Sequence, residues 1–414
     1  MTTINHHQVN PRKITWIDYY QGFLSVAAIL VFFTKIDVYL HTRGLGIPLL
    51  WLIGFTFAAS PLFLTIGNRL KYIPIPVIVW VTGYLALPLI SILILPQIPD
   101  LQFFEDQIRT MVFLLVMLII FSQRLIFLKW VKITILLVTI FNTVAFLYEF
   151  VNPLAFYVLQ VSPGRSSGFY EDSNTAGCII ILGMIISIDL IKPKYRLIFA
   201  SFLFLGIATT FSRGAILGWF VVVLLFMKNE IIPRRQIILL FLSMFVTITI
   251  LSSQLNNLSN IKTADGTDLF NDDSLERVEF LINPLGQKDD SSASRKGHVE
   301  EAWHKFAMKP FIGNGLGTGG SEVFRTSDGQ PQRSHNIYLD QMVEYGFLGS
   351  LIYPFLILAC VWKAEGEHRK YSLPFIAFAL LWGIFSHTTM ESFCLLVYYA
   401  VMANLTQQSR LGNF

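Results

Sequence analysis

The sequence predicts an all-α polytopic membrane protein with about twelve transmembrane helices and one long extracytoplasmic loop. Three observations predict it. Of 414 residues, 54% are hydrophobic and only 14% charged, with a mean hydropathy of +0.57, whereas a soluble domain carries about 25% charged residues. Apolar runs recur along the chain at the length of roughly 20 residues that crosses a bilayer. The cations collect in alternate connecting segments. Together these exclude a soluble enzyme, a disordered chain and a nucleic-acid-binding domain. The net charge of +4 then concerns orientation in the membrane, not a polyanionic partner.

The first thirteen residues are polar and end in Arg12 and Lys13. No small-residue cleavage site follows, which predicts a retained first span. Spans are predicted at 16–33, 47–66, 74–95, 110–127, 131–150, 175–191, 196–211, 214–228, 235–253, 337–362, 372–388 and 391–406. Ser212-Arg213-Gly214 interrupts one long apolar stretch. A straight helix there would sink Arg213 into lipid, so two spans joined by a tight turn are expected. Cys178, Cys360 and Cys394 fall inside apolar runs with no spacing that suggests a disulfide or a metal site.

With the N-terminus inside, the short cytoplasmic segments hold 17 Lys and Arg and the short outer loops five: Lys35, Arg43, Arg109, Arg165 and Arg213. That asymmetry predicts both termini in the cytoplasm and segment 254–336 outside. The expected organisation is a bundle of nine spans over 1–253, an extracytoplasmic loop over 254–336 and three spans over 337–414. Within the loop, HVEEAWHKFAMKP sets Val299, Ala302, Trp303 and Phe306 at helical spacing. It reads as an amphipathic helix on the membrane surface, stopped by Pro310.

Polar residues crowd the outer face in four places: SPGRSSGFYEDSNTAG (162–177), FSRGAILGW (211–219), SASRKGHVEEAW (291–303), and FIGNGLGTGGSEVF (311–324) followed by RSHNIYLDQMVEYGFLG (333–349). Arg165, Arg213 and Arg295 are each flanked by Ser or Gly, which lets the backbone approach an anion. Arg213, after Ser212, opens a helix whose free N–H groups favour negative charge. Arginine forks onto phosphate; the plainer reading is a cation anchoring a helix end at the interface. Gly313–Gly320 contains five glycines without a preceding strand, which reads as a turn, with a backbone anion nest as the alternative. Asp272-Asp273 and Asp289-Asp290 read as solvated pairs before they read as a metal site, and Glu171 and Asp172 can pair with Arg165.

His335, in SHNIYL at the start of a span, is the sharpest single residue. A neutral imidazole there can take a proton from a hydroxyl near neutral pH, and the helix N-terminus favours that neutral form. Ser334 offers a cap and Asn336 a group to orient the ring. A histidine with a purely structural role is the competing reading. His387 and Glu391, between the last two spans, form a second pair.

The order of these motifs resembles the bacterial O-antigen ligase and O-antigen polymerase superfamily: SRGA opening a mid-chain span, SR then Trp in a long loop, GNGLGTG, and HNIYLDQMVEYGFLG with its E-x-G-x-x-G. The similarity covers roughly 160–360. It implies a metal-independent, inverting glycosyl transfer at the periplasmic face of the inner membrane, with no cofactor. The implied donor is a glycan on undecaprenyl pyrophosphate. The implied acceptor is a sugar hydroxyl of lipid A-core (ligase) or of another lipid-linked repeat unit (polymerase). By position His335 matches the family's histidine proposed to activate the acceptor. Arg213, Arg295 and, less closely, Arg165 match arginines that hold the pyrophosphate; Ser212, Asn336 and Glu344 would support them. Segment 162–177 departs from the family pattern at Glu171-Asp172, and Arg277, Lys296, Arg325 and Arg333 are further cations in the loop. The short loop favours the ligase. A transporter or flippase is the alternative outside this class, but it calls for polar signals at mid-membrane, whereas here they gather at one face.

Overall fold

The computed structural model describes residues 14–94, 101–152, 155–156, 165–170, 172–236, 238, 240–242, 290–320 and 333–411. Every regular element among them is helical. The first half holds α1 (Trp16–Ala28, continuing as a π turn over Ile29–Phe33), α2 (Ile36–Thr42), α3 (Pro48–Leu64), α4 (Ile75–Ile94), α5 (Leu101–Phe121) and α6 (Leu125–Val151). Then come α7 (Ser173–Ser187), α8 (Arg196–Thr209) and α9 (Arg213–Lys228). After the loop follow α10 (Asp290–Met308), α11 (Ile337–Tyr345), α12 (Ile352–Cys360), α13 (Arg369–Phe385) and α14 (Phe393–Arg410).

Trp16–Phe33, Leu125–Val151 and Ser173–Leu190 are long and apolar enough to cross a membrane; Pro48–Leu64, Ile75–Ser91 and Phe347–Cys360 are apolar and shorter. Phe57, Leu64 and Leu93 are exposed almost completely, a surface that lipid covers at no cost and water does not. The structure is that of a helical membrane protein.

α7 is the axis of the bundle. All of Ser173–Ser187 is buried except Asn174, because α6, α8, α9 and α13 pack around it. Small residues make that approach close. A Cβ on Gly177 would meet that of Ala215 at 2.6 Å, and one on Gly206 of α8 would meet Thr143 of α6 at 2.9 Å. This is how helices associate where lipid supplies no hydrophobic contrast. The last turn of α5 shows the complementary device. Its free carbonyls Ile119 O, Ile120 O and the following Ser122 O accept from the Gln21 amide of α1 at 2.9–3.1 Å, so helix-end groups are satisfied inside the bundle.

Several expectations change. The span predicted at 337–362 is broken. α11 stops at Tyr345, Gly346 adopts φ +71° and ψ −167°, and the chain resumes as a 3-10 turn into α12. Gly346 packs on Phe311, whose carbonyl oxygen would lie 2.5 Å from an added Cβ. α11 has nine residues and rises only about 14 Å, so it belongs to a cap on the bundle and not to a crossing. α5 begins at Leu101, nine residues ahead of the predicted span, so Arg109 sits within a helix and not in a loop. The loop helix likewise starts earlier, at Asp290, and ends at Met308 before Pro310. Of its apolar residues, Ala302 and Phe306 are buried against Leu339 and Val343 of α11, whereas Val299 and Trp303 face outward. The expected break before Arg213 is present as a turn between α8 and α9. The span predicted at 235–253 lies beyond residue 242 outside the described residues, as do 254–289 and 321–332.

Candidate functional site

Five segments converge on the cap: 165–170 with Asp172 before α7, the α8–α9 turn, α10, residues 333–345, and the α13–α14 turn. The first is built on two carboxylates. Glu149, buried near the end of α6, accepts from Ser167 N and Gly168 N at 2.6 Å each. Asp172 caps α7, accepting from Asn174 N and Thr175 N at 3.1 and 3.0 Å, as a short carboxylate does where helix donors are free. Between them Arg165 is buried. Its Nε donates to Thr210 O at 2.8 Å and its Nη2 to Asn174 Oδ1 at 2.9 Å, which ties this loop to the α8–α9 turn. That turn holds Phe211 at φ +48°. Ser212 then caps α9, accepting from Ala215 N at 3.4 Å. Arg213 is the first residue of α9 and half-buried.

His335 stands in a strained backbone conformation, φ +59°, which costs a non-glycine residue roughly 1–2 kcal/mol. Its neighbours hold it there. Ser334 Oγ donates to Asp340 Oδ1 at 2.6 Å, and Ser334 N reaches the same oxygen at 3.3 Å. Asn336 Oδ1 accepts from Tyr338 N and Leu339 N at 3.1 and 3.2 Å. The expected roles are therefore exchanged: Asn336 is the helix cap, and Ser334 fixes the backbone beside the imidazole through Asp340. The His335 ring lies between two other imidazoles, with centroids 6.2 Å from His298 of α10 and 5.1 Å from His387. Burial, then the charge of Arg295 on α10 and of His298, lower its pKa to about 4, against an upward pull from Asp172. Arg295 and Asp172 thus act on His335 in opposite senses. Burial lowers His387 further, to about 3.

Beside His335 opens a cavity of about 360 Å³. Phe103, Asp106, Gln107 and Arg109 of α5 line it, as do Arg333, Gln341 and Glu344. His387 and Glu391 complete it. Arg333 donates to Glu391 Oε1 at 2.6 Å, and Arg109 pairs with Asp106 at 2.8 Å. Glu344 is buried and accepts from Gly317 N at 3.2 Å. Burial raises its carboxyl to about 7 despite Arg333, and raises Asp340 to about 6.

The glycine-rich run is a turn. Asn314 N donates to Val343 O and Gly315 N to Glu344 O, at 2.8 and 3.0 Å. Those N–H groups close the loop onto α11, so they are not an anion nest. Arg165, Arg213 and Arg295 do not line the cavity, although Arg295 acts on its histidine. Glu171, Asp272, Asp273, Asp289, Arg277 and Arg325 lie outside the described residues. The α5 lining was not foreseen. Its only signal was a cluster of charges, Glu105, Asp106 and Arg109, in front of an apolar run.

Residues 198–353 match the family model described as O-antigen ligase. The match takes in the α8–α9 turn with Arg213, helix α10 with Arg295, and His335 through Glu344. It supports the resemblance of this chain to the O-antigen ligase and polymerase superfamily. No curated protein matches the chain.

Proposed function

We propose that this protein is a glycosyltransferase of the O-antigen ligase type, working at the periplasmic face of the bacterial inner membrane with both termini in the cytoplasm. It takes a glycan from undecaprenyl pyrophosphate and places it on a sugar hydroxyl of lipid A-core. The observation that carries this reading is His335, held in a strained conformation beside a cavity lined by charged side chains, within the stretch that matches the O-antigen ligase family.

The chemistry follows from the groups present. The acceptor oxygen attacks the anomeric carbon as its proton passes to His335. The bond from that carbon to the phosphate oxygen breaks, and undecaprenyl pyrophosphate leaves with the electron pair. Direct displacement inverts the anomeric centre. Arg213 and Arg295 grip the diphosphate and offset the charge that develops on it, the part a metal ion plays elsewhere. Arg165 adds its charge from behind, through the turn it fastens. A dianionic diphosphate arriving near His335 strengthens the imidazole's hold on a proton, so the base becomes more effective once the donor is bound.

Purified protein in liposomes, given a lipid-linked glycan with and without lipid A-core and in EDTA, tests the reading. Glycan on lipid A-core establishes a metal-independent ligase. A ladder of longer lipid-linked chains formed without lipid A-core establishes a polymerase instead. No transfer to either acceptor by folded protein supplied with its native glycan overturns the proposal in favour of transport.

A further inference from the structure

Arg295 of α10 and Asp172 ahead of α7 act electrostatically on His335, and neither lines the cavity that His335 does. That cavity has a different character. Both arginines in its lining are already engaged by carboxylates, Arg333 by Glu391 and Arg109 by Asp106. Glu344, whose carboxyl burial raises to about 7, also lines it and adds no positive charge. Two further lining residues, Gln107 and Gln341, are buried to more than nine-tenths, and each keeps a side-chain oxygen without a hydrogen-bond partner. The Gln107 amide nitrogen is spent on Tyr84 O at 3.0 Å, which fixes its oxygen as the end left over. Buried acceptors of this kind are costly unless something donates to them. The rim is open: Asp106, Arg109 and Glu391 have side chains 42–45% exposed.

We propose that this cavity seats one sugar ring of the acceptor, uncharged or carrying an amine, and that it rejects uronic acids and sugar phosphates. Hydroxyl and ammonium groups donate, which is what the Gln107 and Gln341 oxygens lack. An anion would find its counter-charges taken. A volume of about 360 Å³ lies near the lower end of small-molecule sites, roughly 300–1,000 Å³, so it admits a single ring and not an oligosaccharide. His335 lines the same cavity, which brings a hydroxyl of the seated ring to the base. The assignment rests on His335 being the acceptor's base.

Saturation-transfer NMR on the full chain in nanodiscs tests it. The probes are methyl glucoside, methyl galactoside, N-acetylglucosamine and glucosamine, set against methyl glucuronide and glucose 6-phosphate. At least one neutral or amino sugar should give strong transfer and the anionic sugars little. Gln341→Leu should weaken the signal about fivefold, the equivalent of one lost hydrogen bond. Glu391→Gln, at the exposed rim where folding is not at stake, should release Arg333 and let methyl glucuronide bind. No binding by any neutral or amino sugar would overturn the assignment, as would equal binding of anionic sugars by the wild type or an unchanged preference in Glu391→Gln. The His335→Ala variant separates this inference from the reading beneath it. Transfer surviving in that variant while glycosides bind would remove the base and leave the sugar site standing. Transfer lost in that variant, with no glycoside bound by the wild type, would remove the site alone.

Discussion

Arg165, buried, and Arg333, partly buried, are both arginines of the cap, and they are used in opposite ways. Arg165 spends its guanidinium on the protein, joining Thr210 O to Asn174 and so fastening the start of α7 to the α8–α9 turn. Arg333 turns toward a cavity, answered by Glu391 from a turn 58 residues on, with the Phe103 ring 5.1 Å away. In sequence the first looked like a ligand and the second like a spare cation. The difference is that a guanidinium with five donors serves whichever acceptors the fold brings near it. Backbone carbonyls make it a brace, and a carboxylate at an open cavity makes it part of a site.

The largest effect expected from breaking this division is at its centre. His335→Ala should lower transfer by about 10²–10⁴-fold, the usual worth of a positioned general base, while the protein keeps its helical circular dichroism. Activity near wild type would leave His335 a structural residue. Next, the same replacement at two arginines should give opposite readouts. Arg213→Lys should cost transfer about 100-fold, since an ammonium cannot fork onto a diphosphate, with stability changed by no more than about 0.5 kcal/mol. Arg165→Lys should cost about 2 kcal/mol of stability through a lost charged hydrogen bond, read as a lower apparent melting temperature, and much less activity. Equal behaviour of the two variants would dissolve the distinction between brace and ligand.

The pH profile sharpens the picture on the histidine side. With its pKa lowered to about 4, His335 stays neutral well below the ordinary histidine range. The acid limb of kcat/KM, which reports the free enzyme, should therefore fall near pH 4. The limb of kcat should lie higher, because the bound diphosphate favours the imidazolium. Coincident limbs near 6.5 would mean that the base is solvated.

The smallest effect concerns Glu344. Its folded pKa of about 7 lies above the ordinary carboxylate value, so the folded state holds a proton that the unfolded state releases. Its contribution to stability is full below about pH 4.5 and is lost as pH rises through 7. Glu344→Gln should therefore gain stability relative to wild type at pH 8 and show no such gain at pH 5, measured by thermal unfolding in nanodiscs. A gain of equal size at both pH values would contradict the buried, protonated carboxyl.

Features set by a few consecutive residues were legible without the fold. Ser212-Arg213-Gly214 announced a turn and a cap, because a cation cannot lie deep in lipid. Gly313–Gly320 announced a turn, because its glycines reach positive φ, as Gly313, Gly315 and Gly317 do. His335 was legible as the imidazole of a helix-opening HN motif. The break at Gly346 was hidden, since the apolar run continues across it and only the contact with Phe311 forces the chain to turn. Asp340 was equally hidden, since nothing in DQMVEY shows that its carboxylate holds Ser334 beside the histidine.

The sequence alone determined the solvent and the vocabulary of this protein. Its apolar composition calls for lipid, and its polar residues fall into four clusters between apolar runs. Which of those residues face one another was decided only by tertiary packing. Small residues let α7, α8 and α9 close up, and that brings Asp172 within electrostatic reach of His335. The early start of α5 carries Asp106, Gln107 and Arg109 to Arg333 and Glu391. Charges more than two hundred residues apart meet there, and burial then sets their pKa values. Burial and proximity are properties of the packed bundle, and no local pattern of residues encodes them.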